Sequence, residues 1–437
     1  MLLFVSFTER LYRSLSRAAW LLSSALGSGD SKLARVVRAR RYAGDRLAEW
    51  ARMHRDLSRP LLWIHAPSVG EGLQAMAVVE AVRERRSDFQ IVFTHFSPSA
   101  EGLAARMSAD IAGPLPWDTP QEAGRSVTAV RPDVLAFTKT EVWPVLAAAA
   151  RTTGATTALV AATLQPGSSR LWWPSRSVLR PTLSSLDLVA AVGAEDALRL
   201  IGLGAAANTI HVTGDPGIDS AAQRVGAAEL AAPYLRPFVA PRRPTVVAGS
   251  TWPSDETVLV PALAAVRRHH PSLRAVIAPH EPCEEAVQAL EARVKLEGWR
   301  SARLGQVESV GACGDADLVV VDRVGVLAEL YTVGDVAWVG GGFHGQGLHS
   351  VLEPAAASLP VLFGPRHHNA VAAGDLLASG GACVVRDVGE AVSALGGWLD
   401  DADARAVSGS SGSRYIESNL GAAGRTADLL TELVRDR

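Results

Sequence analysis

Two serine–glutamate pairs in this sequence share one spacing and one kind of context. Ser68 and Glu71 follow the apolar run LLWIHA, and Ser350 and Glu353 follow VAWVGGG and a further glycine-containing stretch. An S-x-x-E at the start of a helix is the pattern of a capping box, in which the two side chains satisfy free backbone N–H groups. A carboxylate at such a place could also accept a proton from a hydroxyl, or bind a ribose diol. The spacing leaves both interpretations open.

The glycine-rich stretch GGGFHGQGLHSVLEP, residues 340–354, could bind an anion. Glycines such as Gly341 and Gly342 remove side chains where backbone N–H groups and the start of a helix could surround a phosphate. No P-loop is present, and although residues 340–345, GGGFHG, have the spacing G-x-G-x-x-G, a lone glycine-rich loop is weak evidence, so NAD binding is not predicted. His344 and His349 have no third ligand at a suitable spacing, so no metal site is predicted.

Three further polar residues follow predicted strands. Lys139 and Glu141 lie in FTKTEVWP, where they could form a surface ion pair or bind an anionic substrate. His280 lies in APHEP, where it could donate to a phosphate or cap the next helix. His367 and His368 are predicted to be loop histidines.

Elements that alternate between strand and helix must position these residues. Short β-branched runs such as LLWIHA, FQIVFTHF and PDVLAFT are separated by helical patterns of about ten to fifteen residues, which predicts a parallel sheet covered on both faces. The proline-rich stretch ELAAPYLRPFVAPRRP interrupts this pattern, and PTVVAGS begins it again. We therefore predict an α/β fold of two doubly wound, Rossmann-like domains that face a central crevice, with ligands at the carboxyl ends of the strands.

The N-terminal segment, residues 1–55, differs from the rest. Apolar residues recur there at three- and four-residue steps, and arginines break the run, which makes it too interrupted to span a bilayer comfortably. The apolar positions are Phe4, Phe7, Leu11, Leu15, Ala18, Leu22 and Leu26. Together with Trp20 and nearby arginines, they predict a helix that lies on an anionic membrane surface. A helix packed on the protein's own core is the alternative.

Composition excludes several classes of protein. The chain has 437 residues, 48% of them hydrophobic and 20% charged, and a formal net charge of −2, which indicates a folded protein with no basic excess for nucleic acid. Cys283, Cys313 and Cys383 lack the spacing of a zinc site or a disulfide framework and fit a reducing compartment. The predicted domains are residues 1–55, 56–235 and 236–437.

The ordered motifs resemble those of the 3-deoxy-D-manno-octulosonic acid (Kdo) transferases, glycosyltransferases of the GT-B fold. The motifs are HAPSVGEG, PWDTP, TKTEVWP, EDALRLIGLGA, VTGD, VAGSTWPSDE, APHEP, GVLAELY and GGGFHGQGLHSVLEPAAASLPVLFGP. The resemblance implies an inverting, metal-independent enzyme that moves Kdo from CMP-Kdo to the lipid A precursor, lipid IVA, in lipopolysaccharide biosynthesis. It also implies a place on the cytoplasmic face of the bacterial inner membrane, with the membrane lipid surface as a partner and no cofactor.

The resemblance also implies roles for particular residues. Glu71 matches the general base, and Lys139 and Glu141 are predicted to be catalytic as well, in the place where many members of the family have Glu-Thr-Glu and one branch has lysine first, as here. The predicted nucleotide-binding positions are those of the family's CMP site together with the glycine loop. They are Pro279, His280, Val324, Gly325, Val326, Gly341, Gly342, Ser350, Val351, Leu352 and Glu353.

Several positions depart from the family pattern. The usual GN-x-K, whose basic residue is thought to stabilise the transition state, reads Gly214-Asp215-Pro216-Gly217, so the basic residue is missing. Pro279 stands where the family usually has arginine, and His349-Ser350 stands where it usually has His-Asn. Ala161-Ala162-Thr163 replaces the usual Asn-Ala-Arg. We predict that Lys139 supplies part of the lost charge. A transferase for another nucleotide sugar or acceptor, or an impaired nucleotide-binding homologue, is the alternative.

Overall fold

The computed structural model describes residues 7–23 and 31–434. The chain forms two compact units, one of Met1–Ser220 with Leu420–Arg437 and one of Ala221–Asn419. The change of unit thus falls before the predicted boundary at residues 235 and 236, because Leu235 and Phe238 of the predicted linker are fully buried in the second unit's core. The last helix belongs with the first unit because its apolar side packs there.

The first unit contains a seven-stranded sheet in the order β3-β2-β1-β4-β5-β6-β7, with every neighbouring pair parallel. Its strands are β1 (Leu61–Ala66), β2 (Gln90–His95), β3 (Ile111–Pro114), β4 (Val134–Thr138), β5 (Thr156–Ala162), β6 (Leu188–Ala191) and β7 (Ile210–Val212). The chain direction across the sheet reverses between β1 and β4, which is where doubly wound sheets bind ligands.

Helices cover both faces of this sheet. They are α1 (Phe7–Leu21), α2 (Lys32–Arg41), α3 (Ala43–His54), α4 (Val69–Arg85), α5 (Glu101–Ala104), α6 (Pro120–Val130), α7 (Pro144–Thr152), α8 (Ser175–Leu183), α9 (Ala194–Leu203) and α10 (Pro216–Gly226), which ends in the second unit. Short 3-10 turns span Pro98–Ala100, Ser169–Leu171 and Ala207–Thr209.

The second unit repeats this plan with a parallel sheet in the order β10-β11-β9-β8-β12-β13-β14. Its strands are β8 (Thr245–Thr251), β9 (Arg274–Pro279), β10 (Ser301–Arg303), β11 (Leu318–Val320), β12 (Val336–Val339), β13 (Val361–Phe363) and β14 (Ala382–Val384). Here the order reverses between β8 and β12. Two doubly wound sheets confirm the predicted fold class.

The remaining helices follow the same alternation. They are α11 (Arg236–Val239), α12 (Pro253–Arg267), α13 (Glu284–Leu296), α14 (Leu304–Val310), α15 (Leu327–Leu330), α16 (Leu352–Ala356), α17 (Val371–Ser379), α18 (Val388–Asp400), α19 (Ala402–Ser418) and α20 (Ala422–Glu432), with a 3-10 turn at Tyr331–Val333. Helix α20 returns to the first unit and packs against α4.

Burial on both faces explains the continuous apolar runs. All six residues of β1 are buried, and Leu61 and Trp63 belong to one core cluster while Leu62 and Ile64 belong to the cluster on the opposite face. Successive side chains of a strand point to opposite faces, so a strand covered on both sides cannot alternate apolar with polar residues.

The N-terminal segment packs on the first unit through α2 and α3, which bury Val37, Leu47 and Trp50. In α1, Tyr12 packs against the same core, whereas Leu11 and Leu15 are exposed. The predicted apolar positions Phe4 and Leu26 lie outside the described residues. Within residues 7–23 and 31–434, no helix has the length and apolar character needed to cross a bilayer.

Candidate functional site

Glu71 and Lys139 meet at the point where the first sheet changes direction. Glu71 lies in the first turn of α4, directly after β1, and Lys139 directly follows β4, the neighbour of β1. Lys139 Nζ donates to Glu71 Oε1 at 2.8 Å, and Ser68 Oγ donates to Glu71 Oε2. The Glu71 side chain is only 15% exposed, against 44% for Lys139. Both carboxylate oxygens are therefore held in place at the edge of the unit.

The Lys139 backbone adopts a left-handed conformation, with φ of 59°. Such a conformation is uncommon for a residue other than glycine and costs about 1–3 kcal/mol, so it persists where the surroundings impose it. Here the Lys139 N–H donates to Val160 O on β5 at 2.9 Å. The turn carries the ammonium back towards β1.

Glu141 does not form the surface ion pair with Lys139 that its position in sequence suggested. Burial raises the pKa of the Glu141 carboxyl, the nearby Arg170 charge lowers it, and the Glu71 charge raises it. The structure thus brings Glu141 close to the Glu71 site, with Arg170 as the cation that acts on it most strongly.

A buried histidine supports this edge of the sheet. His65 on β1 is fully buried, and burial together with the Arg40 charge lowers the pKa of its imidazole to about 3. Its Nε2 accepts from Trp143 Nε1 at 3.1 Å, and its Nδ1 lies 3.0 Å from Thr94 O. A neutral imidazole that donates from Nδ1 and accepts at Nε2 satisfies both contacts. His65 therefore fixes Trp143, the residue that precedes α7.

Arg40 lies in the arginine-rich part of the N-terminal segment, but its side chain does not face solvent. It is buried, and it donates to Leu115 O at 2.9 Å and Pro116 O at 2.8 Å. Its guanidinium also lies within about 5 Å of the Trp117 and Trp143 rings. Burial lowers the Arg40 pKa to about 10. Arg40 holds α2 on the first unit, because a planar cation with five donors suits an aromatic and carbonyl-lined site.

The second unit contains a matching arrangement. Glu353 Oε2 accepts from Ser350 Oγ at 2.5 Å, and Glu353 Oε1 accepts from Arg224 Nη2 at 2.7 Å. The Glu353 side chain is 14% exposed and that of Arg224 27%. The buried Arg224 Nε makes no hydrogen bond within the described structure, so this guanidinium retains a donor. Each unit therefore holds one carboxylate between a serine and a cation.

Neither serine–glutamate pair forms a capping box, which is one of the two interpretations that the spacing left open. Ser68 is the N-cap of α4 but makes no side-chain capping bond, and α16 begins at Leu352 with Val351 as its N-cap. In both pairs the serine hydroxyl donates to the glutamate, and Ser350 Oγ also accepts from the Leu352 N–H at 3.3 Å. The sequence predicted the pairs, but the cations Lys139 and Arg224 come from distant parts of the chain. Ser350, one of the predicted nucleotide positions, thus contacts Glu353 directly. Val351 and Leu352, which are also predicted positions, separate the two residues in the sequence.

The glycine loop after β12 is explained by backbone packing. A Cβ on Gly340 would lie 2.2 Å from Ser250 O, and one on Gly342 would lie 2.3 Å from Gly364 N, so only glycine fits. The Gly341 N–H donates at 2.8 Å to Asp255 Oδ2, a fully buried carboxylate. The predicted contact of this N–H with a phosphate would require it to leave Asp255.

Aromatic rings form a stack beside that loop. Trp252, which follows β8, stacks on His344 with 3.9 Å between ring centroids and on His280 with 4.6 Å. Trp252 Nε1 donates to His349 Nε2 at 3.0 Å. Burial, helped by the charges of His280 and His344, lowers the His349 pKa to about 4, so His349 stays neutral and can accept this bond. Sequence reasoning missed Trp252 as the centre of the stack, although it lies in the VAGSTWPSDE motif.

The other predicted nucleotide positions lie along the same sheet edge. Pro279 ends β9, and the His280 N–H donates to Thr251 O at 2.9 Å. Val324, Gly325 and Val326 lie between β11, the neighbour of β9, and α15. His367 and His368 lie between β13 and α17, as predicted. In the part of the chain that the structure describes, no group of three or more His, Cys, Asp or Glu side chains could hold a metal ion.

In the loop of Gly214-Asp215-Pro216-Gly217, where the resemblance leads one to expect a basic residue at the last position, the Asp215 carboxylate organises the hydrogen bonds. Asp215 Oδ1 accepts from Gln74 Nε2 and from the Gly217 N–H, both at 2.7 Å. A Cβ on Gly217 would lie 2.9 Å from Asp215 Oδ1, so this turn is built around the carboxylate.

The sequence of the chain is similar to those of known 3-deoxy-D-manno-octulosonic acid transferases. The family model described as 3-deoxy-D-manno-octulosonic-acid transferase (kdotransferase) matches residues 41–220. The chain is 30% identical over 399 residues to the 3-deoxy-D-manno-octulosonic acid transferase of Bordetella pertussis, covering 87% of this chain and 89% of that one. It is 26% identical to the Haemophilus influenzae transferase of the same name, covering 90% and 92%.

Solved structures share the fold. The UDP-GlcNAc 2-epimerase of Neisseria meningitidis superposes with a TM-score of 0.58 at 12% identity, covering 86% of this chain and 99% of that one. The epimerase of Methanocaldococcus jannaschii gives 0.55 at 14% identity, covering 82% and 99%. Identity that extends across most of the Bordetella protein, on this two-sheet fold, shows that the chain belongs to the 3-deoxy-D-manno-octulosonic acid transferase family of glycosyltransferases.

Proposed function

We propose that this protein is an inverting glycosyltransferase that moves Kdo from CMP-Kdo to the lipid A precursor lipid IVA in lipopolysaccharide biosynthesis. The observation that carries the proposal is the Glu71 carboxylate, fixed between Ser68 and Lys139 where the first sheet reverses direction. Relatives that carry this transferase name match the chain over most of its length.

In this proposal the first unit binds the acceptor. Glu71 takes the proton of an acceptor hydroxyl as that oxygen attacks the anomeric carbon of Kdo, and the bond from that carbon to the phosphate breaks, so that CMP leaves. Ser68 and Lys139 keep the carboxylate oriented, which is the condition for effective proton transfer. Glu141 lies beside this site.

The second unit binds the nucleotide of the donor. Glu353, held by Ser350 and Arg224, accepts hydrogen bonds from the ribose hydroxyls, and the ring stack of Trp252 and His280 offers a flat aromatic surface. Val324–Val326 border the same site. Cations and N–H groups of the protein stabilise the negative charge that develops on the leaving CMP. We therefore propose that no metal or other cofactor takes part.

We place the enzyme on the cytoplasmic face of the bacterial inner membrane, with the lipid surface and not nucleic acid as its macromolecular partner. Exposed Leu11 and Leu15 on α1 and its arginines support this location, because an amphipathic basic helix binds anionic lipid.

Release of CMP from CMP-Kdo, measured with a tetraacylated lipid A precursor, tests the proposal. We expect turnover by the intact chain and at least about a hundredfold loss in Glu71→Gln, the size typical of a lost general base. Ser68→Ala provides a milder change at the same carboxylate. Activity that survives in Glu71→Gln would remove the proposed base. CMP binding without turnover would identify an impaired homologue. If a different nucleotide sugar raises the melting temperature of the protein in a thermal-shift screen, that sugar and not CMP-Kdo would be the donor.

A further inference from the structure

Two adjacent tryptophans of the first unit face solvent. Trp172 is 69% exposed and Trp173 is 77% exposed, in the connection between β5 and α8. A tryptophan buries about 150–250 Å² when it is covered, so leaving two side by side in water is unfavourable. Large exposed apolar patches on a folded protein are typical of binding surfaces.

The segment that carries them, residues 168–176, is an ordered turn, which we call the tryptophan turn. Ser168 Oγ accepts from the Arg170 N–H at 3.3 Å and caps the 3-10 turn, and Leu171 packs against the core. The Arg176 N–H donates to Trp172 O at 2.9 Å and joins the turn to α8. The anchored leucine and the backbone bonds therefore present the two indoles outward.

The charged residues in the sequence on either side of the turn have one sign. From residue 142 to residue 186 the sequence contains no Asp or Glu, but it contains Arg151, Arg170, Arg176 and Arg180. Arg176 and Arg180 are exposed and lie one turn apart on α8. Each basic residue near an anionic bilayer adds about 1 kcal/mol of attraction. Indoles flanked by guanidinium groups are the composition that prefers the interface between lipid headgroups and acyl chains.

A second apolar surface lies on the neighbouring element. Helix α8 contacts α1, whose Leu11, Leu15 and Leu21 are 47%, 61% and 63% exposed. An apolar contact on α1 and another on the tryptophan turn, which leads into α8, would hold a membrane-bound unit in one orientation, which a single helix cannot do.

We propose that the tryptophan turn is a second membrane contact, separate from α1, that places Trp172 and Trp173 in the headgroup region of an anionic bilayer. The inference does not depend on which sugar the enzyme transfers. It concerns the surface beside the candidate site, since Arg170 of the same turn acts on Glu141. Binding through this turn would hold the Glu71 edge of the first unit near the lipid.

Flotation of the full chain with vesicles tests the proposal. For vesicles of phosphatidylglycerol and phosphatidylethanolamine, we expect Trp172→Ser/Trp173→Ser to lower the partition coefficient by about tenfold, since two indoles no longer leave water. The matched control is Leu296→Ser/Val310→Ser, which removes two residues of the second unit that are 90% and 76% exposed. The control should bind vesicles as the wild type does.

A second measurement identifies the position of the indoles. Quenching of tryptophan fluorescence by brominated lipids should fall in the double variant relative to the wild type, while the far-ultraviolet circular dichroism stays unchanged. Equal partitioning of the variant and the wild type would overturn the proposal. Two other results would also overturn it: a dimer without vesicles that the double variant loses, or normal vesicle binding with weaker turnover of a water-soluble acceptor.

Discussion

At the scale of single residues, the structure assigns Lys139 a defined partner. The sequence placed Lys139 beside Glu141, yet its ammonium contacts Glu71, because β4 lies next to β1 in the sheet. Sequence separation hides such a contact, which only strand order reveals. The predicted compensation for the missing basic residue would therefore act through the proposed base, Glu71.

Substitution of Lys139 tests that role. We expect Lys139→Ala to lower the rate of CMP release by about tenfold or more, because Glu71 loses one of the two donors that orient it. Lys139→Arg should restore part of the rate. The affinity for CMP, measured by calorimetry, should stay the same, since the proposed nucleotide-binding residues lie on the second unit. Turnover in Lys139→Ala equal to the wild type would show that the ammonium contributes nothing.

Arg224 is a second candidate site residue that sequence reasoning missed, since nothing in its local sequence points to a residue 129 positions away. Because it holds Glu353 and retains a free Nε donor, we expect Arg224→Ala to weaken CMP binding by about 10- to 100-fold, the usual cost of a lost charge-assisted hydrogen bond. Arg224→Lys should recover part of this affinity.

The control for Arg224 is Arg242→Ala, which removes an ion pair with Asp335 of similar length, 2.8 Å, at the amino end of β12. Calorimetric titration with CMP measures both variants. An equal loss of affinity in the two would mean that Arg224 acts only on stability.

At the scale of elements, α20 completes the core of the first unit. Ala423, Ala427 and Leu430 pack in the same cluster as Leu62 and Ile64 of β1. We expect Leu430→Ala to lower the free energy of unfolding of the first unit by about 2–5 kcal/mol, the cost of a cavity at a fully buried leucine. Leu420→Ala, at a residue that is 41% exposed, is the matched control.

Urea unfolding, followed separately by near-ultraviolet circular dichroism and by CMP binding, measures this effect. The CMP-binding transition should stay where it is in the wild type. If both transitions shift together, the two units unfold as one and the assignment of α20 to the first unit has no separate thermodynamic meaning.

At the scale of the whole molecule, each unit contains a histidine that burial keeps neutral: the fully buried His65, whose pKa is lowered to about 3, and the half-buried His349, whose pKa is lowered to about 4. In the unfolded chain these imidazoles take up a proton near pH 6.5. Acid therefore stabilises the unfolded state, and stability present above pH 6.5 is lost as the pH falls towards 4.

We expect His349→Gln, which keeps an acceptor for Trp252 but does not titrate, to reduce the slope of the unfolding free energy against pH between 6.5 and 4. The reduction should be up to about 1.4 kcal/mol per pH unit, and less in proportion to the solvent access of this half-buried ring. Urea titrations at several pH values measure the slope. A slope equal to that of the wild type would show that His349 is protonated in the folded state.

The fold followed from the sequence where strands are buried on both faces, because continuous apolar runs between helices have few other solutions. The short strands β3 and β10 were not predicted, since IAGP contains Gly and Pro, and SAR is a largely polar edge strand. Only those parts of the site that lie within one local motif, such as the two serine–glutamate pairs, could be predicted from the sequence. The partners of Glu71 and Glu353, the role of Asp255 and the burial of Arg40 all depend on contacts between distant segments.

The return of α20 to the first unit has a consequence for the order in which the protein is made. The ribosome finishes residues 221–419 before it reaches Leu430, so the second unit has a complete chain while the first still lacks part of its core. Domains usually fold as units from the N-terminus as they emerge. Until α20 is synthesised, the core on the α4 side of the first sheet stays partly exposed. Chaperones that bind apolar surface could therefore bind the nascent first unit until translation ends.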